Sequence, residues 1–122
     1  MRVFIADADQ ELRMALQVLL HQEPGMAIVG LAVHSRGLFA QVAASQPDVV
    51  LLDWQLPDRP AASVLADLHS LERRPRIIVL YVRPEVEQEA RAAGADAFVA
   101  KTASSDQLVA ILRQMRDGSL AL

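Results

Sequence analysis

Four short apolar runs rich in β-branched residues, Val3–Ala6, Ala27–Leu31, Val49–Leu52 and Ile77–Val82, constrain this chain more than any other feature. Most are near-continuous, the pattern of parallel strands buried on both faces. Ala97–Ala100 is a weaker fifth. Parallel neighbours need crossover connections, and the intervening segments have helical period. Leu12, Leu16, Leu19 and Leu20 form one apolar stripe, Leu38 and Val42 a second, and Val64, Leu68 and Leu71 a third. Leu108, Ile111, Leu112 and Met115 form the clearest, at i, i+3, i+4 and i+7. The segment Pro84–Ala93 reads as the least apolar helix. Boundaries agree: Pro24–Gly25 ends the first helix, Gln46-Pro47-Asp48 leads into the third strand, and Pro84 suits a first helical position. Ser104 with Gln107 has the spacing of a capping box. The alternation predicts right-handed βαβ crossovers and a three-layer α/β/α sandwich around a five-stranded parallel sheet.

A length of 122 residues leaves room for one core, and 52% hydrophobic residues suffice to form it without disulfides, of which the cysteine-free chain has none. Thiolate catalysis and Cys-ligated metals are excluded. His21, His34 and His69 are assigned to helix or loop surfaces with no site implied. The net charge of −3 and the lack of a Lys/Arg block argue against nucleic-acid binding by this domain alone. Arg73–Arg74 is read as a solvated helix end. No apolar run reaches the ~18 residues of a membrane span, and the N-terminus turns acidic before a secretory-type segment develops. The expected location is the cytoplasm, with no membrane contact.

In an open parallel sheet, ligands bind beyond the carboxyl ends of the strands, where strand order reverses. The first strand runs into Asp7-Ala8-Asp9, the third into Asp53-Trp54-Gln55-Leu56-Pro57, the fourth into Tyr81-Val82-Arg83 and the fifth into Lys101-Thr102. Two acidic ends and one lysine converge. Close carboxylates repel unless a cation lies between them, and oxygen donors of this kind suit Mg²⁺, which takes one or two carboxylates plus a phosphate oxygen. A nearby lysine offers a compact charge to the same phosphate. The expectation is phosphoryl transfer, with the Asp53 carboxylate as nucleophile.

Three stretches carry a resemblance that covers essentially the whole chain. They are Ile5-Ala6-Asp7 with Leu12-Arg13, Pro47-Asp48-Val49-Val50-Leu51-Leu52-Asp53 with Pro57, and Ala93-Gly94-Ala95-Asp96-Ala97-Phe98 leading to Lys101-Thr102. Together they resemble the receiver domain of bacterial response regulators, in the branch that usually precedes a LuxR/NarL-type helix-turn-helix. The resemblance implies a flavodoxin-like sheet of order 2-1-3-4-5, Asp53 as phosphoacceptor and Lys101 as the phosphate contact. It further implies Mg²⁺ held by Asp7, Asp53 and the Gln55 backbone carbonyl, Phe98 as a rotating aromatic switch, and a histidine kinase or phosphotransfer protein as donor. Residues 1–117 would be the receiver, and 118–122 a tail or the start of a linker to an output domain.

The departures carry as much weight. Aligned from Asp7 to Arg13, the family's second acidic residue, a direct metal ligand, falls on Ala8. Asp9 is assigned first as a helix N-cap and only second as a substitute metal ligand. The small hydroxyl residue ending the fourth strand falls on Tyr81, or on Val79 in an ungapped match from Lys101. An atypical receiver follows, with weak or absent Mg²⁺ binding, that regulates through protein–protein association. One alternative is a fully functional phospho-accepting receiver controlling transcription. Another is a haloacid-dehalogenase-like phosphohydrolase using Asp7 and Asp9, against which stand the short chain and the lack of a later acidic pair. Arg91, Asp106, Arg113 and Asp117 place both signs of charge near the surface that receivers commonly pair, which leads to an expected homodimer through the fourth helix, fifth strand and fifth helix.

Overall fold

The computed structural model describes residues 1–118. Five strands, β1 (Arg2–Ala6), β2 (Ala27–Ala32), β3 (Val49–Asp53), β4 (Arg76–Tyr81) and β5 (Ala97–Ala100), alternate with α1 (Gln10–His21), α2 (Leu38–Ser45), α3 (Ala61–His69), α4 (Glu87–Ala92) and α5 (Ser105–Asp117). The sheet is parallel, in the order β2-β1-β3-β4-β5, as expected.

Strand periodicity sorts the core into two layers. Val3, Ile5, Val49, Leu51, Ile78, Leu80, Ala97 and Val99 face α1 and α5, meeting Leu16, Leu20, Leu108, Leu112 and Met115. Phe4, Ala6, Val50, Leu52, Ile77, Val79 and Phe98 point the other way, onto Leu38 and Val42 of α2, Val64, Leu65 and Leu68 of α3 and Ala90 of α4. Both faces of β3 are covered, and all five of its residues are buried.

Several local readings change. β3 reaches Asp53, and β4 stops at Tyr81, leaving Val82 half exposed. The segment Pro84–Ala93 divides into a 3₁₀ turn at Pro84–Val86 and the six-residue α4, which buries only Ala90. Ser104 does cap α5, accepting from Asp106 N at 3.1 Å. Gln107 N bonds the Ser104 backbone carbonyl at 3.1 Å, and no reciprocal side-chain bond appears among the described residues. α3 ends at His69, so Arg73 and Arg74 lie in the following connection and pair with Asp48 and Asp96.

Two histidines are less superficial than their neighbours in sequence indicate. The His69 ring packs over Gly94, where φ is +113° and an added Cβ would overlap the imidazole. Its Nε2 is buried without a hydrogen bond, and burial, with the charge of Arg74, holds its pKa below the usual value. His34 Nδ1 is likewise buried without a hydrogen bond and lies 3.7 Å from Asp58 Oδ2. His21 is exposed. Gly118, in the left-handed region at φ +74°, caps α5. Residues 119–122 of the expected tail lie outside the described residues.

Candidate functional site

The chain enters β2 on one side of β1 and β3 on the other, so strand order reverses between β1 and β3. Asp7 stands directly after β1, and Asp53 is the last residue of β3. The fold therefore sets both carboxylates at the switch point, at the carboxyl edge. Asp7 is fully buried and Asp53 is 6% exposed.

Lys101, following β5, reaches back over both. Its Nζ lies 2.9 Å from Asp7 Oδ2 and 3.4 Å from Asp53 Oδ1. The backbone fixes its root, because Lys101 N donates to the Tyr81 carbonyl at 2.7 Å. Each carboxylate is also held by a turn: Asp9 N donates to Asp7 Oδ1 at 2.9 Å, and Gln55 N to Asp53 Oδ1 at 3.0 Å. Arg13, given no role on sequence grounds, donates from Nη1 to the Asp7 carbonyl at 2.7 Å and ties α1 to this corner.

Two carboxylates and one ammonium leave a formal charge of −1 in a largely buried corner. Burial, reinforced by the charge of Asp7, pushes the Asp53 carboxyl above the usual carboxylate range, and the Gln55 N–H and Lys101 pull it partly back. Asp7 Oδ2 is buried with no aligned hydrogen bond, leaving the ion pair with Lys101 as its polar contact. An acceptor left in this state suits a cation. Two close carboxylate oxygens are donors of the kind Mg²⁺ takes while keeping several waters. No cluster of three or more acidic or histidine ligands exists among the described residues.

Asp9 caps a helix. Its Oδ1 accepts from Glu11 N at 3.0 Å and Leu12 N at 3.3 Å, the N-cap of α1, and its side chain is exposed. The cap reading holds, with Oδ1 committed to the helix. Ala8 is exposed and supplies no oxygen.

The family model of the response regulator receiver domain matches residues 3–113. The chain belongs to that family. Among curated relatives, this receiver is 31% identical over 119 residues to the DNA-binding transcriptional activator DevR/DosR of Mycobacterium tuberculosis, covering 96% of this chain and 55% of that protein. It is 28% identical over 116 residues to the transcriptional regulatory protein DesR of Bacillus subtilis, covering 95% of this chain and 58% of that protein. The chain thus spans little more than half the length of these relatives. Among solved structures, a LuxR-family two-component response regulator from Aurantimonas sp. SI85-9A1 superimposes with a TM-score of 0.87 at 22% identity, covering 99% of this chain and 88% of that one. The relatives are of the LuxR/NarL type, as the sequence implied, and no described helix is long and apolar enough to cross a membrane.

Register settles which residue ends β4 of this receiver. Tyr81 pairs with Ala100, directly before Lys101, whereas Val79 lies two residues earlier opposite Phe98. Tyr81 is 7% exposed and Phe98 5%. Both belong to the layer under α3 and α4, with Leu56 and Ala90. Trp54 is partly buried against the same layer, and its backbone N–H donates to the Leu80 carbonyl at 2.9 Å.

Ser35 escaped sequence reasoning. It is 5% exposed, and its N–H and hydroxyl both donate to the Pro57 carbonyl at 2.9 Å, lashing the β2–α2 loop to the loop that carries Gln55. A lone serine in a polar stretch gives no signal of such a long-range bond.

Proposed function

We propose that this receiver accepts a phosphoryl group on Asp53 inefficiently and regulates chiefly by protein association that depends little on that event. The observation that carries the reading is the makeup of the carboxyl-edge corner, where Lys101 bridges Asp7 and Asp53, Ala8 adds no oxygen, and Tyr81 and Phe98 are buried together.

In the transfer step, an Asp53 carboxylate oxygen attacks the phosphorus of a phosphohistidine on a histidine kinase or phosphotransfer protein. The O–P bond forms as the N–P bond breaks, and the imidazole nitrogen keeps the bonding pair. Lys101 turns from Asp53 towards the incoming phosphoryl oxygens, offering a compact charge. Mg²⁺, when held by Asp7, Asp53 and the Gln55 carbonyl, supplies positive charge to those oxygens. Loss of even an outer-sphere partner typically costs ~10–100-fold in metal affinity, and Ala8 removes a direct ligand relative to the family pattern.

Tyr81 supports the second half of the reading. A phenol ring stands where a small hydroxyl residue would move towards the phosphoryl group and vacate space for Phe98. Extra bulk in a packed core costs ~1–3 kcal/mol, a bias of roughly ten- to a hundredfold on a two-state ratio. A phosphorylated Asp53 would shift the population only by its differential contacts with the two states. The association surface proposed is α4, β5 and α5, pairing two copies. Control of transcription would come through an output domain, as the relatives' names indicate for those proteins.

The test measures intact mass after incubation with a small acyl-phosphate donor and Mg²⁺, together with dimerisation by sedimentation. Wild type should gain the phosphoryl mass only in part, dimerise equally with and without donor, and match Asp53→Asn. Ala8→Asp with Tyr81→Thr should gain both full modification and a response. Complete modification of wild type at sub-millimolar Mg²⁺, with dimerisation abolished by Asp53→Asn, would overturn the reading.

A further inference from the structure

At the opposite edge of the sheet, where the strands begin, lies a cleft of about 410 Å³ that the phosphoryl-transfer reading does not use. Arg73, Arg74 and Arg76 enter it from the α3–β4 connection and the first residue of β4, and Arg116 from the last turn of α5. Its apolar floor includes the buried Pro47 and Met115. Asp48 is the one carboxylate in its lining. In a chain of net charge −3, this is a local concentration of positive charge.

The carboxylates nearby offset three of these four charges and leave that of Arg76. Asp48 accepts from Arg2 N at 2.7 Å and from Arg73 Nη2 at 2.8 Å, contacts that hold its carboxyl below the usual carboxylate range and keep it ionised. Arg74 meets Asp96 only at 3.7 Å, and Asp96 is already accepting from Ile77 N through its other oxygen at 2.8 Å. Arg116 is fixed by Asp117 at 3.0 Å and by the Pro24 carbonyl at 2.7 Å. Arg76, partly buried, has no carboxylate partner among the described residues. A helix C-terminus attracts cations, which accounts for Arg116 at the end of α5. It leaves Arg76 unexplained, with Arg74 held only loosely beside it.

We infer that this cleft binds a phosphate-bearing small molecule of nucleotide size, its phosphates on Arg74 and Arg76 and its apolar body over Pro47 and Met115. Guanidinium forks match phosphate oxygens in pairs, and a concave, partly apolar site of this volume suits a small ligand better than an extended polyanion. Arg73 and Arg116, already held by their own partners, add field and need not move.

The test titrates ADP and inorganic pyrophosphate by calorimetry, without Mg²⁺, at about 0.15 M salt, where surface charge is screened beyond ~8 Å. Wild type should bind ADP saturably and more tightly than pyrophosphate. Arg74→Gln with Arg76→Gln, which spares the Arg73–Asp48 pair, should weaken ADP at least tenfold while its thermal unfolding stays near that of wild type. Asp53→Asn, which keeps the fold intact, should leave ADP affinity unchanged, which separates this cleft from the Asp53 corner. No saturable ADP binding, binding unchanged in the double arginine variant, or pyrophosphate binding as tightly as ADP would overturn the inference. So would tight binding of a short DNA duplex with weak ADP binding, the mark of a nucleic-acid surface.

Discussion

Both edges of the sheet gather ionisable side chains, but in opposite solvents. At the carboxyl edge, Asp7 is fully buried and the Lys101 side chain is 16% exposed, so three charges interact in a corner from which water is mostly excluded. At the amino edge, the Arg73 and Asp48 side chains are 53% and 38% exposed, and their 2.8 Å contact is bathed in water and salt. The distances are alike, yet the energetic consequences differ. A buried pair deprived of one partner leaves an uncompensated charge, whereas an exposed pair exchanges its partner for water at little cost.

The sharpest way to break this contrast is Lys101→Ala. With Asp7 and Asp53 left facing each other, stability at neutral pH should fall by about 3–5 kcal/mol, read from urea unfolding. A loss below about 1 kcal/mol would mean that water reaches the corner freely.

Asp53→Asn should act in the opposite direction, because it converts a two-to-one arrangement into a single Asp7–Lys101 pair. A gain of about 1–2 kcal/mol at neutral pH is expected. The pH dependence follows from the raised Asp53 pKa. Folded Asp53 takes up its proton more readily than the unfolded chain does. Its ionised form is therefore unfavourable at neutral pH, and the penalty fades as pH falls through the folded value towards the ordinary carboxylate range. The advantage of the asparagine variant should shrink on acidification, and an advantage that grows would contradict the assignment.

Ala8→Asp sharpens the same corner by adding a third carboxylate at an exposed position. Without Mg²⁺ it should cost about 1 kcal/mol through repulsion. With Mg²⁺ the loss should reverse, and quenching of Trp54 fluorescence should report metal affinity at least ~10-fold above wild type. At the amino edge, Arg73→Ala should cost about 1 kcal/mol or less, and added salt should erase the difference. An effect as large as that of Lys101→Ala would remove the contrast.

How far the chain announced this arrangement depends on the range of each interaction. The strands were legible because burial on both faces leaves an unbroken apolar run, and Asp7, Asp53 and Lys101 because a parallel sheet gathers its strand ends. Asp9 was legible as a cap because capping is local. α4 was blurred: Pro84 to Ala92 has weak apolar periodicity, and its one buried residue, Ala90, is set by tertiary contact. Tyr81 and Val79 compete as the end of β4 because a loop length intervenes, and strand pairing puts that end at Tyr81. His69 over Gly94 and Ser35 on Pro57 join residues more than twenty positions apart, and no local pattern encodes either.

The Ser35 clasp also bears on how the molecule breathes. Two donors of one buried serine converge on one carbonyl, so the β2–α2 and β3–α3 loops cannot separate without breaking both bonds at once. Opening of the two loops becomes a single event, and the amides of Ser35 and Leu56 should exchange with solvent deuterium at a shared, slow rate although they belong to different connections. Removing the hydroxyl with Ser35→Ala would leave the amide bond alone to hold the loops, and the two rates should then rise together. On that outcome, the rim of the Asp53 corner would have a relaxation time set by a residue that never touches the carboxylate.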